Sequence, residues 1–304
     1  MKRDLLTILD LTRDEILELI SRAETRKREW FRGELEPTLK GKTLGLLFVK
    51  PSTRTRISFE AAMNRLGGSC VFMTAKDTQL SRNESLSDTA RVLSRYIEAL
   101  VVRTYAQEDV EDLAHYSSIP VINGLTDSYH PCQVLSDLLT IREKRGNMEN
   151  LRVAWGGVGN NVAHSWINAA ARLGLTLSLA CPRGYLPDAG VLARARAEGQ
   201  GEILLLDDPK QAVASADVIN TDVWTSMGQE QEAEDRLAVF QPYQVNTELL
   251  AAAPRHAMVL HCLPAHRGEE ITSEVMEGPQ SVVFDQAENR LYFQMALLEW
   301  LLCG

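Results

Sequence analysis

The sequence predicts an α/β protein with two doubly wound parallel-sheet domains and a C-terminal helix that packs back on the first. Three observations support this fold class. Short apolar runs alternate with helical patterns along the chain, which is typical of parallel sheets covered on both faces. A polar stretch at residues 142–150 interrupts this alternation, which then restarts. The chain has 304 residues, 45% of them hydrophobic, which is enough for two domains with their own cores.

The elements follow in order from local patterns. Thr12 and Glu15 form a capping-box pattern ahead of an amphipathic helix. Apolar runs predict four strands before the polar stretch and six after it, at residues 44–49, 70–74, 99–103, 120–123, 153–155, 175–181, 203–206, 218–221, 258–261 and 282–284. Apolar residues at helical spacing predict a helix over 286–302. The predicted domains are therefore 1–146 and 147–285, with 286–304 returning to the first.

Composition excludes several classes of protein. The formal net charge is −9, which argues against a general nucleic-acid binder because such proteins need a basic surface. The cysteines are odd in number and widely scattered, at Cys70, Cys132, Cys181, Cys262 and Cys303. This spacing is unlike a zinc site or a disulfide framework and favours a reducing cytoplasm. No apolar segment reaches the length of a membrane span, so we expect no membrane partner.

The segment Ser52-Thr53-Arg54-Thr55-Arg56 lies between an apolar run and residues with helical spacing. A strand that ends in hydroxyls and opens a helix points backbone N–H groups, hydroxyls and a guanidinium toward one place. That place is suited to an anion, most plausibly phosphate. The alternative is that Ser52 is only an N-cap and the arginines are solvated surface charges.

Two further segments combine a histidine with a proline. His130-Pro131-Cys132-Gln133 precedes a helical pattern, so His130 lies near a helix start, where it can face a ligand. The alternative is that this His-Pro pair only marks the start of a helix. His261-Cys262-Leu263-Pro264 ends an apolar run, which places a thiol at a strand edge. A buried inert cysteine and a cysteine hydrolase are the alternatives there, although consecutive strand residues point to opposite faces.

Two loops leave predicted strands in the second half. The segment 156–161 resembles a dinucleotide loop, but Val162 occupies the place of the last glycine in G-x-G-x-x-G counted from Gly157. Nicotinamide binding is therefore disfavoured. The segment 222–228 offers a carboxylate, hydroxyls and a glycine, which suit a loop that binds an ammonium group. An ordinary surface loop is the alternative.

Taken together, these segments resemble the aspartate/ornithine carbamoyltransferase superfamily, and within it the ornithine carbamoyltransferases. The motifs occur in family order and spacing: S-T-R-T-R at 52–56, H-P-C-Q at 130–133, N-N at 160–161, D-x-x-x-S-M-G at 222–228, H-C-L-P at 261–264 and E-N-R at 288–290. The resemblance runs essentially from end to end of the chain.

The resemblance implies a carbamoyl phosphate site made of Ser52, Thr53, Arg54, Thr55, Gln79, Arg103, His130, Gln133, Cys262, Leu263 and Arg290. In this family the arginines and hydroxyls hold the phosphate. Thr55, Arg103 and His130 would polarise the carbonyl oxygen. Gln133 and the backbone carbonyl of Leu263 would hold the carbamoyl NH₂ group.

The resemblance also implies an L-ornithine site made of Asn161, Asp222, Ser226 and Met227, with the δ-amine near Cys262. Cys262, Arg103, His130 and Asp222 would be the catalytic residues, with Cys262 acting as base or orienting thiolate and no covalent intermediate. The implied products are L-citrulline and phosphate, in arginine biosynthesis. Gln79 would reach a neighbouring subunit, which implies a homotrimer or a multiple of it. No metal or organic cofactor is expected, because carbamoyl phosphate is already activated.

One position departs from the family pattern. The family commonly has G-D-G-N-N where this chain has Val158 within Gly157–Asn161, so ornithine affinity or loop geometry is expected to differ. Two alternative functions remain open from sequence: a carbamoyltransferase for putrescine or N-acetylornithine, and a non-catalytic paralogue that only binds carbamoyl phosphate.

Overall fold

The computed structural model describes residues 2–225 and 233–303. The chain divides into two compact units, each with its own sheet. Unit 1 consists of Met1–Leu139 and Glu288–Gly304, and unit 2 consists of Thr140–Ala287. Both sheets are entirely parallel, so the predicted α/β class with two parallel-sheet domains is confirmed.

Unit 1 contains a four-stranded sheet in the order β2-β1-β3-β4. Its strands are β1 (Thr43–Phe48), β2 (Ser69–Thr74), β3 (Ala99–Arg103) and β4 (Val121–Leu125). The helices that begin in this unit are α1 (Arg13–Arg32), α2 (Thr53–Arg65), α3 (Leu86–Leu93), α4 (Gln107–Tyr116) and α5 (Pro131–Arg145). Five of the six β1 residues are buried, as expected for a strand covered on both faces.

Unit 2 contains a five-stranded sheet in the order β7-β6-β5-β8-β9. Its strands are β5 (Arg152–Gly156), β6 (Thr176–Ala180), β7 (Glu202–Leu206), β8 (Val218–Thr221) and β9 (Met258–His261). The helices that begin here are α6 (Asn161–Leu173), α7 (Ala189–Glu198), α8 (Pro209–Val213), α9 (Ala233–Phe240), α10 (Thr247–Ala251), α11 (Ser273–Met276) and α12 (Val283–Cys303). The β8 and β9 residues are fully buried, whereas β7, at the edge, is largely exposed.

Helix starts follow the capping chemistry that the sequence indicates. The Thr12 hydroxyl accepts a hydrogen bond from the Glu15 backbone N–H, and the Glu15 carboxylate accepts one from the Thr12 N–H. This reciprocal pair satisfies two of the backbone donors that a helix start leaves without partners. Pro131 is the first residue of α5, where its missing N–H costs nothing. The predicted helix starts after Thr12 and His130 are confirmed.

The strand predicted at 282–284 is wrong, because α12 begins at Val283. Only Ser281 forms an isolated parallel bridge, with Val259 of β9. A short apolar run does not by itself distinguish a buried strand from the first turn of a buried helix. The helix predicted over 286–302 is therefore three residues longer at its N-terminal end.

The last part of α12 belongs to unit 1. The Glu299 carboxylate, which is largely buried, accepts a hydrogen bond from Arg26 Nε at 2.7 Å and one from the Thr38 hydroxyl. Lys27 Nζ donates to Asn289 Oδ1 at 2.7 Å. Phe293, Leu297 and Leu298 are fully buried. The predicted return of the C-terminal helix to the first domain is confirmed.

In each sheet, the first strands along the chain are added on one side of the starting strand and the later strands on its other side. This switch lies between β1 and β3 in unit 1, and between β5 and β8 in unit 2. In open α/β sheets, ligands bind at the carboxyl ends of the strands beside such a switch. Among the described residues, no helix is long and apolar enough to cross a membrane.

Candidate active site

The switch in unit 1 brings together a cationic cluster, defined as Arg54, Arg103, His130 and Arg290. Arg54 lies in the first turn of α2, which follows β1, and Arg103 is the last residue of β3. His130 directly precedes α5, and Arg290 lies in α12. The four side chains therefore come from four separate parts of the chain, and the fold places them beside the same strand ends.

The first turn of α2 is organised around two hydroxyls. The Ser52 hydroxyl caps the helix by accepting a hydrogen bond from the Thr55 N–H at 3.2 Å. Thr55 is almost completely buried, and its hydroxyl accepts a hydrogen bond from Arg290 at 2.8 Å. Thr53, the first helical residue, is exposed. The N-terminal backbone N–H groups of α2 are thus combined with a buried guanidinium, an arrangement that favours an anion.

Arg290 connects this turn to α5. Its second guanidinium nitrogen donates to Gln133 Oε1 at 3.0 Å, and Gln133 Nε2 donates to Asp137 Oδ1 at 2.8 Å. All three side chains are nearly inaccessible to solvent. Buried charges are costly unless they are paired and hydrogen-bonded. The Asp137 carboxylate therefore fixes the Gln133 amide, and the amide in turn fixes the arginine.

His130 is buried beside these arginines, with 4% of its surface exposed. Burial, followed by the positive charges of Arg290, Arg103 and Arg54, holds the pKa of His130 well below its usual value of 6.5. The imidazole is consequently neutral at pH 7. A neutral imidazole can donate one hydrogen bond toward a carbonyl oxygen without adding another positive charge to the cluster.

The switch in unit 2 carries a second group of side chains, which we call the Asp222 cluster: Asn160, Asp222 and Cys262. Asp222 follows β8 directly, and Cys262 follows β9 directly. The Cys262 thiol donates to Asp222 Oδ1 at 2.9 Å, and Asn160 Nδ2 donates to Asp222 Oδ2 at 2.7 Å. Both carboxylate oxygens are thus held in place by neighbours. Asn161 is the first residue of α6, beside Asn160.

The glycine loop before α6 is shaped by close packing. A Cβ atom on Gly159 would lie 2.2 Å from the backbone nitrogen of Pro187, and Gly157 has φ +133°. Asn160 then caps α6 by accepting hydrogen bonds from the N–H groups of residues 162 and 163. The side-chain oxygen of Asn160 therefore caps the helix, while its nitrogen orients Asp222. Val158 contributes its backbone carbonyl, which accepts a hydrogen bond from the Trp155 indole at 2.9 Å.

A buried histidine and carboxylate hold the backbone next to Cys262. His261 Nδ1 accepts a hydrogen bond from the Leu263 N–H at 2.9 Å, so Nε2 carries the proton and donates it to Glu270 at 2.9 Å. Glu270 also accepts from the His266 N–H at 2.7 Å. Leu263 has φ +60°, a conformation that residues with side chains adopt only when their surroundings impose it. Glu270 thus fixes the tautomer of His261, which fixes Leu263.

Two groups of side chains near β9 contain potential metal ligands. Ligand atoms of Asp222, His261 and Cys262 lie within 4.8 Å of one another, as do those of His266, Glu269 and Glu270. In both groups these atoms are engaged with each other or with the backbone. A cation would therefore have to break hydrogen bonds that shape the loop.

Comparison with known proteins identifies the family. Residues 3–143 match the family model of the aspartate/ornithine carbamoyltransferase carbamoyl-P binding domain, and residues 149–301 match that of the Asp/Orn binding domain. The chain belongs to the aspartate/ornithine carbamoyltransferase family. Arg54, Arg103 and His130 thus lie in the part matched to the carbamoyl-P binding domain, whereas Arg290 and the Asp222 cluster lie in the part matched to the Asp/Orn binding domain.

Relatives within this family match over nearly the whole chain. The ornithine carbamoyltransferase of Desulfotalea psychrophila is 57% identical over 95% of this chain and 96% of its own length. That of Syntrophus aciditrophicus is 53% identical over 99% and 100%. The solved ornithine carbamoyltransferase structure from Pyrococcus furiosus superposes with a TM-score of 0.96 at 51% identity, covering 100% of this chain and 98% of that one.

The structure brings most of the predicted carbamoyltransferase residues together within their own units. Ser52, Thr55 and Gln133 join the cationic cluster, while Asn161 and Leu263 adjoin the Asp222 cluster. Gln79 is exposed in a short 3₁₀ segment. Ser226 and Met227 lie outside the described residues.

Several residues of these clusters were not predicted. Asn160 was noted only as part of a motif, and Asp137 and Glu270 were not singled out. Asp137 lies four residues after Gln133 on one face of a helix, which is a signal that the sequence contains. The sequence position of Glu270 gives no such signal, because its contact with His261 depends on how residues 264–269 turn the chain back toward His261.

The lowered pKa of His130 makes the stability of the protein depend on pH. Between the folded pKa and 6.5, the unfolded chain binds a proton at His130 that the folded protein does not. The contribution of neutral His130 to the free energy of unfolding is therefore fully present above about pH 6.5 and is lost progressively as the pH falls toward the folded pKa. From pH 7.5 to 5.5, we expect the unfolding free energy of the wild type to decrease by roughly 1 kcal/mol more than that of His130→Gln. Urea titrations at both pH values measure this difference, and parallel losses would contradict it.

The role of Glu270 predicts a selective effect of its removal. Glu270→Ala leaves the buried Nε2–H of His261 without an acceptor, which we expect to cost about 2 kcal/mol of stability and to lower turnover by releasing Leu263. The matched control is Glu269→Ala, because the Glu269 side chain is 40% exposed and pairs with the exposed imidazole of His266. Equal effects of the two substitutions on turnover would rule out this role.

Proposed function

We propose that this protein transfers the carbamoyl group of carbamoyl phosphate to the δ-amine of L-ornithine and releases L-citrulline and phosphate. The observation that carries this proposal is the convergence of three arginines on one neutral, buried histidine in an acidic protein. Support also comes from the family models and from relatives named ornithine carbamoyltransferase at 53–57% identity.

The cationic cluster suits both ends of carbamoyl phosphate. Arg54, with the hydroxyls and N–H groups that open α2, would bind the phosphate, and Arg103 and Arg290 would balance its remaining charge. His130 and Thr55 would donate to the carbonyl oxygen. Because Gln133 Oε1 accepts one hydrogen bond from Arg290, its second lone pair is suited to the carbamoyl NH₂ group.

The reaction needs an uncharged amine. In the proposed mechanism, the proton that the Cys262 thiol donates toward Asp222 passes to this carboxylate, and the resulting thiolate, as base or orienting group, takes a proton from the δ-ammonium group of ornithine. The amine nitrogen forms a bond to the carbonyl carbon while negative charge builds on the carbonyl oxygen, where Arg103, His130 and Thr55 stabilise it. The C–O bond to phosphate then breaks, the attacking nitrogen gives its second proton to the departing phosphate, and the arginines hold the phosphate. The carbamoyl group is transferred directly, without a covalent enzyme intermediate.

The ornithine contacts are assigned on the same basis. Asn161 and Asp222 would hold the α-amino and carboxylate groups, together with Ser226 and Met227. The backbone carbonyl of Leu263 would accept from the carbamoyl NH₂ group. We place the carbamoyl phosphate domain at 1–146, the ornithine domain at 147–285 and the returning segment at 286–304. Reducing surroundings are consistent with five free cysteines, and we assign the protein to the cytoplasm.

Two alternatives are less well supported. Transfer to putrescine or N-acetylornithine would not need Asp222 to recognise a free α-amino group, yet Asp222 is held on both oxygens. A paralogue that only binds carbamoyl phosphate would not need an ordered thiol beside that carboxylate.

A substrate assay of purified variants tests the function. We expect citrulline from L-ornithine but not the corresponding product from putrescine or N-acetylornithine. Arg54→Ala should raise KM for carbamoyl phosphate roughly 100-fold, as expected for losing about 3 kcal/mol of charge-assisted contacts. Asp222→Ala should instead impair use of ornithine.

The controls are Arg91→Ala and Asp207→Ala, two exposed residues of surface ion pairs, which should leave both KM values unchanged. Preferential carbamoylation of another amine would overturn the substrate assignment. Wild-type kinetics in Arg54→Ala and Asp222→Ala would overturn the site assignment.

We further propose a homotrimer, or a multiple of it, in which Gln79 completes the phosphate site of a neighbouring subunit. A cavity of about 730 Å³ borders Ser52 and Thr53, and its walls combine apolar side chains with charged ones: Phe48, Ile57 and Phe72, and Arg56, Glu60 and Lys76. Such a cavity can accept a segment of a second copy. The exposure of Gln79 is consistent with a contact to another subunit.

Coexpression of two variants tests the shared site. If Gln79 acts across subunits, Gln79→Ala and Arg54→Ala chains mixed in equal amounts should recover roughly a quarter of wild-type activity, because one site in four then combines two intact halves. Light scattering gives the mass of the hybrids. A monomer, or activity no greater than the average of the two parents, would contradict the proposal.

A further inference from the structure

Three neighbouring strands of unit 1 end next to a buried lysine that the proposed chemistry does not use. Lys50 follows β1, Tyr105 follows β3 and Asp127 follows β4, and these strands are adjacent in the sheet. Lys50 stands two residues before Ser52, the residue that caps α2. The three side chains, which we call the Lys50 bridge, therefore lie at the same edge as the cationic cluster.

The contacts of Lys50 are specific. Only 7% of the residue is exposed, although lysine is rarely buried without a partner. Its ammonium group forms an ion pair with the Asp127 carboxylate and lies 4.3 Å from the centroid of the Tyr105 ring. A cation over an aromatic face gains attraction from the ring quadrupole, and more so when it is desolvated. One side chain thus joins the ends of three strands.

Backbone hydrogen bonds also join the three segments that carry these side chains. The Val49 N–H donates to the Arg103 carbonyl at 2.8 Å, and the Asp127 N–H donates to the Tyr105 carbonyl at 2.8 Å. These bonds extend the sheet ladder by one or two residues past each strand. Lys50 lies at the end of this extension, immediately before the first turn of α2.

We propose that the Lys50 bridge positions the phosphate-binding turn at Ser52–Thr55 relative to Arg103, and that Lys50 is a positioning residue without being a phosphate ligand. The proposal rests on the proposed assignment of phosphate to the cationic cluster. Its physical basis is that the Lys50 ammonium is paired with the Asp127 carboxylate and lies over the Tyr105 ring. Lys50 therefore holds the backbone of the three segments in place and contributes little net positive charge.

The sign of one effect separates this role from direct electrostatics. If Lys50 attracted phosphate by its charge, removing the negative charge of Asp127 would strengthen anion binding. If the bridge positions the turn, removing either partner weakens binding, and the two losses are not additive because one interaction is lost in both variants.

Titration calorimetry of inorganic phosphate into the full chain tests this. We expect Lys50→Met, Asp127→Asn and the double variant each to weaken binding by roughly tenfold, equal to about 1.4 kcal/mol. Tyr105→Leu should weaken binding as well, while Tyr105→Phe, which keeps the ring face, should bind as the wild type does. Lys210→Met removes an exposed lysine paired with Glu248 in unit 2 and should bind phosphate like the wild type.

Thermal unfolding of each variant shows that the titrated protein is folded, and only variants folded at the titration temperature are compared. Unchanged or tighter phosphate binding by Asp127→Asn would overturn the proposed positioning role of the Lys50 bridge. So would losses that add in the double variant. If Arg54→Ala also bound phosphate normally, the site assignment itself would fail, which is distinguishable from failure of the bridge alone.

Discussion

The hydrogen bonds of Arg290 are the interaction on which the rest of unit 1 depends. Its guanidinium joins Thr55 and Gln133, which are 235 and 157 residues away in sequence. A buried guanidinium beside two other arginines is unfavourable unless fixed acceptors and a nearby carboxylate offset the repulsion. Thr55, Gln133 and Asp137 supply these groups. These hydrogen bonds fix the cluster in one arrangement, and such preorganisation suits the proposed binding of a multiply charged anion.

The same environment explains why a histidine, and not a fourth permanent cation, lies at the centre of the cluster. Burial makes the protonated form of His130 unfavourable, and the three guanidiniums around it add to the effect, which lowers its pKa. A neutral imidazole still donates a hydrogen bond. The Asp222 cluster of unit 2 contains a carboxylate and a thiol in place of guanidiniums. In the proposed mechanism, the cationic cluster stabilises negative charge and the Asp222 cluster accepts the proton of the amine.

Much of this was predictable from sequence, for reasons visible in particular elements. The runs that form β3, β8 and β9 were predicted with their observed bounds, because each opens with consecutive apolar residues that the sheet buries. The run at 282–284 failed because a buried helix start has the same composition. The residues facing ligands follow strand ends and helix starts, which local patterns mark. Lys50 and Glu270 support those residues through contacts that depend on the tertiary fold, and the sequence around them gives no indication of these contacts.

Arg290 also determines when the site can form during synthesis. Unit 1 is discontinuous, since its last segment follows the whole of unit 2. On the ribosome, Thr55 and Gln133 emerge long before Arg290, the arginine that joins them. A partly synthesised chain therefore carries an unfinished anion site throughout translation of unit 2. With phosphate assigned to this cluster as proposed, a phosphate compound gains the contribution of Arg290 to its binding after α12 has been made and has returned to α1.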